Sequence, residues 1–93
     1  MKDPKDYNVR AIERAIQILD CFDNDNPSWG LTEIAQEVGL HKATTHRIMT
    51  TLTNHNYLVK SSDGLKYKLG PRLASLGCSV IQQFDIRNVA LPY

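Results

Sequence analysis

Leu31–Thr50 reads LTEIAQEVGLHKATTHRIMT. Its apolar residues recur at helical spacing in two short runs. Ile34, Ala35 and Val38 form the inner face of the first run. Thr45, Ile48 and Met49, with Leu52 beyond, form that of the second. Gly39 lies between them, because glycine enters left-handed backbone cheaply and so ends helices. Thr32 is the expected cap of a helix over Glu33–Val38, its hydroxyl accepting an orphan amide bond. The second helix is expected from about His41 to His55, with a break at Asn54–Asn56. Two short helices at this spacing, the second polar and cationic on its outer side, have the form of a helix-turn-helix that reads DNA.

Working outward, Met1–Asn8 is polar and expected as a disordered arm. Val9, Ile12, Ile16 and Leu19 then recur as a helical stripe, widened by Ala15, Ile18 and Phe22. Asp23-Asn24-Asp25-Asn26-Pro27 ends that helix as a loop. A short strand is expected at Trp29–Leu31. Downstream, Tyr57–Ser61 and Lys66–Leu69 alternate as strands around the turn signal Asp63-Gly64. Gly70-Pro71 opens a fourth helix, proline being well placed in a first turn. Leu73, Leu76, Val80, Ile81 and Phe84 lie along it. The order helix, helix, helix, strand, strand, helix predicts a mainly α fold with one small β-hairpin. That is a winged helix-turn-helix over residues 9–72, followed by a linker helix over 73–93. The apolar stripe of the last helix exceeds what a winged-helix core needs. The chain is therefore expected to be a fragment whose remainder lies downstream, with Leu76, Val80, Ile81 and Phe84 as self-association contacts.

The 93 residues suffice for one small domain with one core. An apolar fraction of 42% is that of an ordinary folded chain and argues against disorder. No apolar run has the length of a membrane span, and the amino terminus lacks the apolar segment of a secretory signal. Cys21 and Cys78 stand far apart in sequence, and a cytoplasmic protein with reduced thiols is the simplest reading. The net charge of +1 hides a segregation. Residues 1–37 carry four cations against eight acids, a net −4. Residues 38–72 carry Lys42, Arg47, Lys60, Lys66, Lys68 and Arg72 against Asp63 alone, a net +5. Such a local cationic surface attracts polyanions even on a nearly neutral protein.

On the third helix, Ala43, His46, Arg47, Thr50 and Asn54 fall opposite the buried set, with Thr44 and Thr51 on one flank and Lys42 at the amino end. An ordinary solvated helix mixes glutamate with lysine, whereas this face has no acid and is rich in short polar side chains. Arg47 can fork onto guanine O6 and N7, Ala43 can meet a thymine methyl, and Thr44, His46 and Thr50 can bond base edges or phosphates. Free amides near His41–Ala43 can hold a phosphate at the positive end of the helix dipole. On the hairpin, Lys60, Lys66 and Lys68 are expected on phosphate or in the adjacent minor groove, although lysines also protect strand edges. Metal chemistry is not indicated: His41 and His46 diverge by about 140° on a helix, and there is no Cys-x-x-Cys pair. No cofactor motif or catalytic constellation is present. A winged-helix protein-interaction module without DNA binding is the alternative, and it requires an apolar or acidic third helix.

Val9–Leu19, Leu31–Ala35, Gly39–Ile48, Asn56-Tyr57-Leu58 and Tyr67–Leu73 together resemble the DNA-binding domain of IclR-family bacterial transcriptional regulators. The similarity covers residues 9–93, and its combined spacing is specific. It implies sequence-specific binding to palindromic double-stranded operator DNA by dimers, often paired into tetramers, as repressor or activator. It also implies a linker helix, opening at Asp85-Ile86-Arg87-Asn88-Val89-Ala90, that leads to a carboxy-terminal domain binding a small-molecule effector. The family's DNA-contacting segment maps onto Lys42, Thr44, Thr45 and Arg47. The chain departs from the pattern at His41, where proline is frequent, and at Ala43, where serine is common. Ala43 removes one possible bond to DNA.

Overall fold

In the computed structural model, which describes residues 7–83, the elements run α1 (Arg10–Asp20), α2 (Leu31–Val38), α3 (Lys42–Asn54), β1 (Leu58–Lys60), β2 (Tyr67–Leu69) and α4 (Pro71–Gln83). The strands pair antiparallel, Leu58 with Leu69, Val59 with Lys68 and Lys60 with Tyr67. This is a winged helix-turn-helix followed by a further helix. Phe84, the 85–90 passage and most of the amino-terminal arm lie outside the described residues. The end of that arm is tied down, since Asn8 Nδ2 donates to Glu13 Oε2 at 3.3 Å.

Gly39 closes α2 in left-handed backbone, φ 70°, and its neighbour Leu40 donates its amide to Ala35 at 3.0 Å. The helix starts earlier than its sequence suggests. Gly30, not Thr32, is its cap, and Thr32 lies exposed in the first turn. The cause lies just upstream. Trp29 N–H donates to Tyr67 O at 3.0 Å and Tyr67 N–H to Trp29 O at 2.8 Å, a single antiparallel bridge rather than a strand over Trp29–Leu31. With Trp29 pinned to the hairpin, the chain turns into α2 at the next residues. The Trp29 indole also donates to Cys21 O at 3.1 Å and Asn26 O at 3.0 Å, closing the acidic loop onto α1.

Ile18, Phe22, Ile34, Met49, Leu58 and Tyr67 form the core, ringed by half-buried Leu19, Trp29, Leu31, Val38, Ile48 and Leu52. Every element but α4 contributes a buried residue. At roughly 1.5–3 kcal/mol per buried large apolar side chain, this small set carries most of the fold's stabilisation. The stripe on α1 divides between two faces. Ile18 and Phe22 are buried, whereas Val9, Ile12 and Ile16 are 57%, 59% and 51% exposed. Core contact reaches α1 mainly through its carboxy-terminal half, against α2 and α3.

Beyond α3, Asn56 takes left-handed backbone, φ 68°, and Tyr57 N–H returns to Leu52 O at 2.9 Å. Asparagine tolerates this conformation better than most residues. Gly70 then passes against that turn. Its amide donates to Tyr57 O at 2.9 Å, and Arg72 N–H donates to Asn56 O at 3.0 Å. A Cβ at Gly70 would lie 2.4 Å from the Asn56 carbonyl oxygen. Gly77, inside α4, has nothing within 4 Å of the same position. The two alanine substitutions should therefore have opposite signs. Gly70→Ala should destabilise the fold by about 1–3 kcal/mol through overpacking. Gly77→Ala should stabilise it by roughly 0.5–1 kcal/mol through helix propensity. Denaturant unfolding midpoints check both, and shifts of the same sign would contradict the account.

Candidate nucleic-acid interface

Helix α3 buries Thr45 and Met49 against α1, α2 and β1 and leaves the other side to solvent. Lys42, Ala43, His46, Arg47, Thr50 and Asn54 are all exposed, and Thr44 is half-buried on the flank facing α1. No acid occurs in the helix. Three of its threonines turn their hydroxyls back onto the helix: Thr45 to His41 O at 3.0 Å, Thr51 to Arg47 O at 2.9 Å and Thr53 to Met49 O at 2.7 Å. Such back-bonding satisfies the hydroxyl locally. Thr50 instead stands 3.5 Å from His46 Nε2 on the exposed side. His41 caps the helix without a side-chain bond, so the first amides of α3 remain open to an anion.

Thr45 is the correction to the expected contact set. It is 0% exposed, and its hydroxyl is spent on His41 O, so it supports the helix from inside the core. Two residues join the face that the sequence reading passed over. Arg14 of α1 lines a groove with Thr44, Arg47 and Thr51 of α3. Its signal was its place one turn before Ile18, on the side of α1 that packs against α3. Thr32 lies in a cleft with Gly30, Leu31, Glu33, Lys42, Gly64 and Leu65. That cleft brings the first turn of α2, the first residue of α3 and the turn of the hairpin to one edge.

The three hairpin lysines line one groove with Ser28, Val59, Ser61 and Leu69, but their individual partners differ. Lys60 pairs with Tyr67, and its Nζ lies 5.7 Å from the Tyr67 ring centroid, within cation–π range. Lys68 pairs with Val59, one position along, and therefore projects from the other face of the hairpin. It lines a groove with Phe22, Asp23, Asn24 and Pro27. Lys66 precedes β2, and its Nζ lies 2.7 Å from Glu33 Oε1. The turn itself is closely bonded. Asp63 accepts from the Ser61 hydroxyl and from Leu65 N–H at 2.9 Å, and Gly64 has φ 75°.

Elsewhere, Leu76, Val80 and Ile81 of α4 are exposed. With Phe84 outside the described residues, three of the four expected association residues can be placed. Both cysteines are free thiols, and burial first, then Glu37 and Asp20, raise the pKa of Cys21. Among the described residues, no three His, Cys, Asp or Glu side chains converge as metal ligands. No described helix is long and apolar enough to cross a membrane.

Two carboxylates at the hairpin are held below the usual range. For Glu33 the main cause is the hydrogen bond from Lys66, then the Gly30 amide; for Asp63 it is the Ser61 hydroxyl, then the Leu65 amide. A depressed folded pKa means stability present above the unfolded value and lost as pH falls through the folded one. The Gly30 and Leu65 amide proton resonances should therefore titrate below the unperturbed midpoints, about 4.3 for Glu and about 3.9 for Asp. NMR titration checks this, and midpoints at or above those values would contradict it.

Residues 11–62 match the IclR helix-turn-helix domain. The regulator XynR of Escherichia coli (strain K12) is 37% identical over 82 residues, which cover 88% of this chain and 32% of that protein. The transcriptional repressor IclR of the same strain is 27% identical over 89 residues, covering 96% of this chain and 32% of that protein. A crystal structure of an IclR family transcriptional regulator from Brucella abortus superimposes with a TM-score of 0.78 at 32% identity, covering 90% of this chain and 32% of that one. The chain thus spans about a third of the length of the curated relatives it matches. On the matched domain and the shared winged helix-turn-helix, the chain belongs to the IclR family.

Proposed function

We propose that this chain is the sequence-specific, double-stranded-DNA-binding part of a bacterial transcriptional regulator, with α3 in the major groove. The observation that carries this reading is the acid-free exposed face of α3, set beside its own open amino end, the first turn of α2 and the turn of the hairpin. Arg47, Ala43, His46 and Thr50 are the base-reading candidates. Lys42, Thr44, Thr32 and Arg14, with the first amides of α3, are placed to take phosphate. Lys60 and Lys68 extend the cationic surface along the hairpin toward the backbone or the minor groove. The reading assigns the chain no catalytic role.

Selection of duplexes from a random pool tests it. A defined site should emerge, and affinity for it should fall steeply with salt, because phosphate contacts release counterions. Arg47→Ala should weaken binding by roughly 1–3 kcal/mol and relax preference at one base pair. Unchanged affinity and preference would remove Arg47 from the reading face. Failure to enrich any duplex would leave the protein-interaction module in its place.

The two apolar surfaces left over by the fold support self-association. Val9, Ile12 and Ile16 at α1, and Leu76, Val80 and Ile81 on α4, are each exposed, and exposed apolar stripes mark interfaces. A two-fold dimer built on them suits a palindromic site and, in a longer protein, pairing into tetramers. The reading further includes α4 as a link to an effector-binding domain, a cytoplasmic location with the DNA, and repression as the regulatory sign, as in the relative that is called a repressor. Ile12→Ser combined with Val80→Ser should reduce association and cooperative binding to a two-half-site duplex, while half-site binding persists. Sedimentation and titration of both duplexes check this; a strict monomer at high concentration, with unchanged cooperative binding in the double variant, would exclude it.

A further inference from the structure

The side chain that pairs with Lys66 is an acid on the edge assigned to DNA. Glu33 Oε1 accepts from Lys66 Nζ at 2.7 Å and from Gly30 N–H at 2.8 Å. A Cβ at Gly30 would come within 3.1 Å of that oxygen and 3.4 Å of the Leu65 carbonyl oxygen. The start of α2, the Glu33 carboxylate and the hairpin turn therefore meet closely, and a side chain at Gly30 would press on the carboxylate. The turn is internally stiff. Ser61 N–H donates to Lys66 O at 2.8 Å, Lys66 N–H to Ser61 Oγ at 3.1 Å, Gly64 N–H to Ser61 O at 2.9 Å and Leu65 N–H to Asp63 Oδ1 at 2.9 Å. A stiff tip moves as one piece, so a single tie at Lys66 sets the direction of all of it. The Trp29–Tyr67 bridge holds the strand behind the tip, and the Glu33 contact holds the tip itself.

An anion on a DNA-facing edge repels phosphate, so its presence there calls for a compensating role. We propose that Glu33 is a positioning residue for DNA binding: through Lys66 it latches the stiff hairpin tip to the amino end of α2, and Lys66 serves that contact rather than a phosphate. The inference rests on the DNA-binding reading and deepens it. Glu33 touches no DNA in this account. It sets where Lys60, Gly64 and Leu65 stand relative to Lys42 and Thr32.

The sign of one substitution separates this from charge alone. Glu33→Gln keeps an oxygen for the Gly30 amide and removes one negative charge from the face. Charge alone makes that variant bind more tightly. The latch makes it bind the selected duplex two- to fivefold more weakly, about the most that an exposed ion pair contributes. Lys66→Met reads the same contact from the hairpin side without touching the cap of α2, and should weaken binding to a similar degree. The double variant should be no weaker than the weaker single one, because both remove one interaction. Hydroxyl-radical footprints should lose protection at the hairpin-side phosphates only and keep it under α3, a local change that general destabilisation does not produce.

If Glu33→Gln binds as tightly as the native chain or more so, or if the two single effects multiply in the double variant, the latch is overturned and DNA binding stands. If no duplex is enriched by the native chain, the DNA-binding reading falls and the latch with it.

Discussion

Two backbone hydrogen bonds between Trp29 and Tyr67 organise the side of this molecule that is proposed to face DNA. Tyr67 is in the core, so the segment bonded to it is held at a fixed depth. From that point α2 begins at Leu31, with Gly30 as cap, instead of later in the sequence. The same bonds set a third backbone segment beside the two-stranded hairpin. An isolated two-stranded hairpin is marginal in water, and backing from a third segment is what lets it hold a shape. The hairpin turn, the start of α2 and the start of α3 share one cleft because this bridge sets the first two against each other.

A chain of this size buries a limited surface, and it buries it selectively. The core draws on the middle of the molecule, from Ile18 to Tyr67. The amino-terminal half of α1 and the whole of α4 are left with apolar side chains in solvent. Ile12 and Ile16 share a groove with Thr44, Arg47 and Thr51, so the apolar surface of α1 borders the exposed face of α3. Among the described residues, the backbone hydrogen bonds of Gly70 and Arg72 to the Asn56–Tyr57 turn join the start of α4 to the rest. That joint ties the direction of the last helix to the end of the helix assigned to the major groove.

Charge follows the same division. The acids of the first 37 residues lie mainly on α1, its following loop and the far end of α2, whereas α3 carries none. Glu33 breaks the pattern and is also the acid with a cation at 2.7 Å. Its lowered pKa has the same origin, the Lys66 hydrogen bond.

The amino-acid sequence by itself determined the element order, the helix-turn-helix, the family resemblance and the outward face of α3. These depend on local quantities: helical periodicity, turn residues such as Gly39 and Gly64, and the absence of acids over thirteen residues. It did not determine where α2 begins, because Thr32 is a good cap in isolation and the deciding bond comes from Tyr67, 38 residues from Trp29 in the chain. Nor could it tell the buried half of the α1 stripe from the exposed half, since Ile16 and Ile18 are equally apolar and only the placement of α2 and α3 separates them. Periodicity placed Thr45 on the inner face while the family resemblance placed it on DNA, and the fold buries it with its hydroxyl on His41 O. Lys66 looked like its neighbours on the hairpin until the fold brought Glu33 within 2.7 Å of it. Periodicity is written along the chain, but the partner of a side chain is chosen in space, and only the tertiary structure brings distant residues into contact.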